Sequence, residues 1–536
     1  MNKLLIFLLV LALIAVPLCA ACEDEVPPPA DGDGVTPPAD GDEDEGPVYG
    51  GIMKVVGSTF PANVGYPPEF TPTDSIYALP ALERLCEWDE TGRQIPVLAE
   101  SWVSDPDNLT ITWHLREGVT FHDGTPWNAE ACRWNFQLAL DGGRLPYGGF
   151  IESLEVADEY IFKMNLTYYT WYMIEQYGWV MMISPTAFEN AGATLEERVD
   201  WARSNSVGTG SFQVVDFQRD VSLTYDKNDN YWREGMPYLD GIEARYIPDP
   251  VTCAATMEAG EADMWVYAQD VQSILDLEAM GLTVNWGTGL SGMFWSLLPN
   301  SSNPDSPLAI KEVREAIEYA IDRPAIADLL GYGEWEALHQ MASSAWPGYV
   351  EGYDPRPYDP AMAQQLLADA GYEFGELELE LMATDLGRDA VAAIQASLGE
   401  AGIIITPDIA DPGRSFVSLF ITGWNELALA ASGINPDATD VFVHFGPNPM
   451  TFMTGSIYKS PEYLALCEEA LGPQYSDAFE AMDKIKEAVV QAGEDAMIVP
   501  LWRDWSVAVM QPYVHSDYFM IHGVIWTPYD TWMESH

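Results

Sequence analysis

Positive charge is what this sequence has least of. Its 536 residues carry 24 Lys and Arg against 83 Asp and Glu, a formal net charge of −59. No face basic enough to neutralise a phosphate backbone can be assembled from that, so nucleic acid is excluded as a partner. The acidic residues run along the whole chain, as on an exposed surface adapted to its medium, for instance to high salt, and they leave a mild preference for neutral or cationic ligands. Cysteine is scarce as well. Beyond Cys19 and Cys22 there are Cys86, Cys132, Cys253 and Cys467, far apart and without Cys-x-x-Cys or Cys/His spacing. No metal site is expected from them, and the sequence does not choose between disulfides and free buried thiols. The seven histidines include no His-Glu-x-x-His, and Gly208-Thr209-Gly210-Ser211 fits neither a nucleophile elbow nor a phosphate loop. Among 83 carboxylates, pairs arise by chance and do not argue for glycoside hydrolysis. Neither an enzyme nor a cofactor is therefore expected.

Long apolar runs are absent beyond the first segment. Lys3 precedes an apolar stretch at 4–18 that is short for a bilayer, and Ala20-Ala21-Cys22 is a small-residue cleavage site ending in cysteine. Residues 1–21 look like a lipoprotein signal peptide with Cys22 as the lipidation site. Because Cys19 stands where Leu is usual, ordinary signal-peptide cleavage near Ala21 is the alternative. Residues 22–48, acidic and rich in Pro and Gly, have almost nothing to bury and read as a disordered tether.

What the chain has in quantity is length, apolar content and aromatic rings. At 536 residues with 48% apolar content, two or three domains are expected. Period-2 alternation marks Ile52 to Val56 and hairpins at 109–121 and 211–225, whereas after about residue 305 the signals turn helical. Val313, Ile317, Ala320 and Ile321 form an apolar stripe. Asp322 can cap the next helix, with Pro324 in its first turn and Gly331 at its end. Asp477 and Glu480 resemble a capping box ahead of Met482, Ile485 and Val489. Short strands at 377–382 and 403–406 between such helices give an α/β arrangement. Trp and Tyr, 19 and 26 of them, exceed what a core needs and suit a cleft that holds varied side chains.

One segment is more specific. Pro96, Leu98, Ala99, Ser101 and Trp102, then Asp107, Leu115-Arg116 and Phe121-His122-Asp123-Gly124, follow the hallmark pattern of the family 5 extracellular solute-binding proteins, the ligand receptors of ABC importers. Leu82 to Leu85, Asn228 to Trp232, Tyr238 to Ile242, Gly260 to Asp263, Val313 to Ala316, Ala320 to Arg323 and the run 363–371 recur in the family's order, over roughly 400 residues. The chain thus resembles that family, and the resemblance implies an α/β, two-lobed periplasmic-binding-protein-like fold of type II with an inserted subdomain and a hinge between lobes. Lobe I is then 49–95, 205–286 and 499–536, the inserted subdomain 96–204 and lobe II 287–498. The hinge passages fall near Trp286 to Ser296 and Val499 to Trp502.

The function the resemblance implies is an extracytoplasmic substrate-binding component, enclosing a small solute between the lobes for ABC permease subunits. A peptide is the leading ligand; a nickel chelate, sugar or opine is the alternative, and a secreted hydrolase the minority reading. A monomer anchored by lipid to the outer face of the cell membrane is expected. Trp265, after the Gly260 to Asp263 motif, and Trp295, after the first crossing, are candidate cleft residues, with core packing as the alternative for each. In peptide-binding relatives an acidic residue, commonly in an Asp-Pro stretch after a tryptophan, holds the ligand's amino terminus. Here Trp424 is followed by Asn435-Pro436, with Asn435 in place of that Asp, so Asp437 or Asp440 would serve, unless Asn435-Pro436-Asp437 only shapes a turn.

Overall fold

The computed structural model describes residues 46–536 except 90, 144, 288–291, 385–386, 434–444, 448–454, 506, 517–525, 527 and 535–536. Cys22 and the tether to residue 45 lie outside the described residues.

A seven-stranded sheet forms the first lobe. Its centre is Ile52–Gly57, which runs parallel to Gly241–Tyr246 on one side and to Met264–Ala268 on the other. Ser222–Lys227 and Phe212–Gln218 extend it as an antiparallel hairpin. Val507–Met510 pairs with Met264–Ala268 and carries Thr283–Asn285 at the edge. The sheet is covered on both faces. Met53, Val55, Ile242 and Met264 pack on one side, and Val56, Cys253, Met257 and Trp265 on the other. Such double burial is what near-continuous apolar strands require.

The second lobe holds a six-stranded sheet built around Met293–Pro299, which pairs antiparallel with Leu427–Gly433 and Val499–Arg503. Glu378–Thr384 and Ile404–Ala410 continue it in parallel. The apolar stripe behaves as its spacing predicts, since Val313, Ile317, Ala320 and Ile321 are all fully buried against Leu379, Ile394 and Leu501. Asp322 caps Arg323–Gly331 by accepting from the Ala325 N–H. Asp477 accepts from the Glu480 N–H and the Glu480 carboxylate from the Ser476 N–H, but the helix begins only at Met482. Because Val499–Arg503 belongs to the second sheet and Val507–Met510 to the first, the chain passes between lobes after Arg503 and before Val507. That is a few residues later than the sequence places it.

Between the strands of the first lobe is an antiparallel four-stranded sheet, ordered Ala99–Asp105, Thr110–Leu115, Ile161–Leu166, Ile151–Asp158. The expected hairpin over 109–121 is not how this segment pairs. Ile111, Trp113 and Leu115 do point inward, yet their strand pairs with Ala99–Asp105 and Ile161–Leu166, while Val119 and Phe121 return as a buried turn. Leu109, read as the first strand residue, adopts a left-handed backbone at φ 53° and ends the preceding turn. The Phe-His-Asp-Gly segment is structural. His122 Nδ1 accepts from the Gly208 N–H at 3.3 Å, so Nε2 donates to the Gly210 carbonyl at 3.0 Å, stapling the subdomain to the first lobe. Burial pushes the His122 pKa down to about 4 and keeps the ring neutral. Trp171 Nε1 donates to the Ala470 carbonyl at 2.8 Å, and the Arg93 guanidinium lies 4.3 Å from the Phe479 ring centroid, so the subdomain and the first lobe each touch the second lobe away from the hinge. Cys86, Cys132, Cys253 and Cys467 are buried free thiols.

Candidate functional site

The two hinge passages lie against each other. Gly292 has φ 112°, and a Cβ there would sit 1.9 Å from the Asp504 carbonyl oxygen, so only glycine permits the approach. Asp504 then ties the passages together, its carboxylate accepting from the Met293 N–H and from Trp295 Nε1, each at 2.8 Å. Burial raises its pKa from 3.8 to about 6 despite those bonds.

Around Asp504 is a cavity of about 170 Å3 walled by Tyr267 and Trp286 from the first lobe and by Trp295, Trp335 and Trp505 from the second lobe and the crossing. Trp295 stacks on Trp502 at 5.7 Å and 22°, and Trp502 on Trp335 at 5.9 Å and 11°, so the wall is held by a row of parallel indoles. Arg503 lies 4.0 Å from the Trp505 ring centroid and 3.3 Å from Glu336. Tyr267 reaches the cavity through a bulge: Trp265 pairs with Val509 and Ala268 with Val507, leaving Tyr267 unpaired at φ 54°. Burial and the Asp504 charge push its hydroxyl up to about 12.

A larger cavity, of about 420 Å3, opens where all three parts meet. Pro67, Pro68 and Phe70 come from the first lobe, Leu145 and Trp179 from the subdomain, and Met293 from the strand that starts at the hinge. Its walls are mainly apolar, and among the described residues Arg84 is the one charged residue on them.

These positions divide the sequence candidates. Trp295 lines the hinge cavity as expected. Trp265 does not: it is fully buried beside Cys253, Met257, Ile274 and Leu277, because strand alternation turns it to the helix-covered face and the bulge delivers Tyr267 instead. Trp424 is buried too, and its Nε1 donates to the Leu298 carbonyl at 3.0 Å, which ties the segment before Leu427–Gly433 to the neighbouring strand. Asn435, Asp437 and Asp440 lie outside the described residues. Asp504, Trp335, Trp505 and Arg84 were missed, since only pairing across distant segments brings them to a cavity. Among the described residues no group of three His, Cys, Asp or Glu is placed to hold a metal ion, and no helix is long and apolar enough to cross a membrane.

Comparison with known proteins agrees with this geometry. Residues 93–445 match the model for the bacterial extracellular solute-binding proteins, family 5. The glutathione-binding protein GsiB of Escherichia coli K12 is 28% identical over 398 residues, covering 70% of this chain and 74% of that protein. Among solved structures, the periplasmic binding protein DppA of Helicobacter pylori, in complex with the peptide STSA, superposes with a TM-score of 0.78 at 21% identity, over 91% of this chain and 99% of that one. NikA of Brucella suis, in complex with Fe(III)-EDTA, gives 0.76 at 22% identity over 90% and 100%. The family match spans more than half of the sequence, so this chain belongs to the bacterial extracellular solute-binding proteins, family 5.

Proposed function

We propose that this protein is the receptor of an ABC importer for short peptides, taking its cargo between the lobes and handing it to the permease without altering it. The observation that carries the reading is the pair of cavities along the interlobe passage, one walled by indoles around the Asp504 carboxylate, the other apolar around the Arg84 guanidinium. Rings and aliphatic walls tolerate varied side chains, while sparse polar groups fix orientation. Trp295 is assigned to the ligand wall, and Asp437 or Asp440 to the ligand's amino terminus. Trp265 and Trp424 support the wall from the core. Cys22 carries lipid and holds a monomer at the outer face of the membrane through the tether 22–48.

Native mass spectrometry on freshly purified protein tests the reading. A co-purified mass that fragments as a peptide, and whose readdition closes the lobes in small-angle scattering, is the expected result. A sugar or metal-chelate mass overturns the peptide assignment.

A further inference from the structure

The larger cavity contains a charge whose hydrogen-bonding capacity the described residues leave partly unused. Arg84 is 2% exposed, and its Nε and Nη1 are buried without a hydrogen-bond partner among the described residues. Its guanidinium lies 4.1 Å from the ring centroid of Trp179, another wall residue. The other buried arginines are differently provided for. Arg314 donates to the carbonyls of Leu308, Asp495 and Ala496, and Arg323 to those of Pro500 and Glu318. Arg356 pairs with Glu315 and Glu318, and Arg503 with Glu336. Burying two guanidinium donors without hydrogen bonds opposes folding, and a ligand that accepts from this side chain would offset that cost.

The neighbouring acids do not. The Glu83 carboxylate accepts from Thr209 Oγ1, Tyr231 OH and Trp232 Nε1. Glu87, in the strand Cys86–Trp88 that follows, feels Arg84 and Arg233 electrostatically, but among the described residues Arg84 forms no ion pair. Burial lowers the Arg84 pKa to about 10, which still leaves it charged at neutral pH.

We propose that Arg84 is the binding site for the carboxylate of the cargo, with the apolar walls from Phe70, Leu145 and Met293 taking the side chain next to it. Resting on the peptide-receptor reading, this means that the carboxyl-terminal end of a peptide with an apolar last residue enters this cavity. A planar carboxylate matches the guanidinium fork, whose donors lie in its plane and not on the face that Trp179 covers. The volume, about 420 Å3, lies in the ~300–1,000 Å3 range of small-molecule sites.

The test uses matched acid and amide probes: Ala-Leu-Phe against Ala-Leu-Phe amide, and 3-phenylpropionate against 3-phenylpropanamide, titrated calorimetrically into the mature protein and into Arg84→Met and Arg84→Lys. The parent should favour each acid by about tenfold or more. Arg84→Met should erase the preference without a lower melting temperature, because it fills the same volume and removes an unanswered charge, and Arg84→Lys should retain part of it. If the phenyl pair discriminates and neither peptide binds, the carboxylate site stands and the peptide reading falls. If the peptides bind with no acid preference, or the preference survives in Arg84→Met, the receptor reading stands and the site falls. Loss of melting temperature in both variants with unchanged acid preference would make Arg84 a structural partner of Glu87 and overturn the proposal, as would failure of every probe to bind.

Discussion

Replacing Asp504 with Asn should change how stability depends on pH, and the sign follows from the hinge geometry. The folded-state pKa of Asp504 is about 6 against 3.8 unperturbed, roughly two units, and each unit is about 1.36 kcal/mol. A raised carboxylate pKa means that folding favours the protonated form. Its contribution is therefore fully present below about pH 4 and is lost as pH rises through 6. The upper bound on that loss is ~3 kcal/mol, reduced in practice because the side chain is only half-buried. The Asn variant has no such titration. It does carry a fixed cost of about 1–2 kcal/mol, because its amide oxygen can replace only one of the two carboxylate oxygens and leaves either the Met293 N–H or Trp295 Nε1 facing an NH2. The parent should thus melt well above the variant at pH 4, and the gap should narrow or reverse by pH 8. The other 82 carboxylates cancel in the difference. A two-lobed protein need not unfold in one step, so the quantity to follow is the melting-temperature gap across pH, not an absolute free energy. A gap that stays constant, or widens as pH rises, would refute the reasoning, since it would mean that the hinge N–H groups outweigh burial.

The remaining predictions are simpler. Trp265→Ala should lower the melting temperature by several degrees with ligand affinity of the folded protein little changed, reflecting ~3–5 kcal/mol for a buried indole, whereas Trp295→Ala should weaken affinity by tenfold or more; paired melts and calorimetry with the co-purified ligand separate the two. Gly292→Ala should lower stability and impair closure together, because a Cβ 1.9 Å from the Asp504 carbonyl oxygen forces the hinge passages apart; scattering profiles with and without ligand would show it. Melting temperature should rise from low to molar salt as the net −59 is screened over a Debye length of ~10 Å at 0.1 M, and a flat response would count against surface repulsion. Cys22→Ser should release the protein from membranes on fractionation, and unchanged retention would sink the lipid assignment.

The fold was legible in the sequence to the extent that it is local or motif-borne. The stripe from Val313 to Ile321, the Asp322 cap and the hairpin over 211–225 are set by neighbours within a few residues, and each forms where its pattern places it. The segment 109–121 went differently because alternation says which side chains point inward but not which strand lies alongside; that choice is made by Ile161–Leu166, forty residues on. The cleft shows the same limit more sharply. Proximity to a motif singled out Trp265, which is core, whereas the bulge with a left-handed residue at Tyr267 brings that ring to the cavity, and a bulge of that kind leaves no trace in composition. Arg84 illustrates the opposite case. Its neighbours Leu82, Glu83 and Leu85 helped to identify the family, yet nothing local distinguishes an arginine answered by a carboxylate from one left open. That distinction is a property of the packed interior, where Glu83 is already committed to Thr209, Tyr231 and Trp232, and it is at such unanswered groups that ligand chemistry can be read from a structure without a ligand.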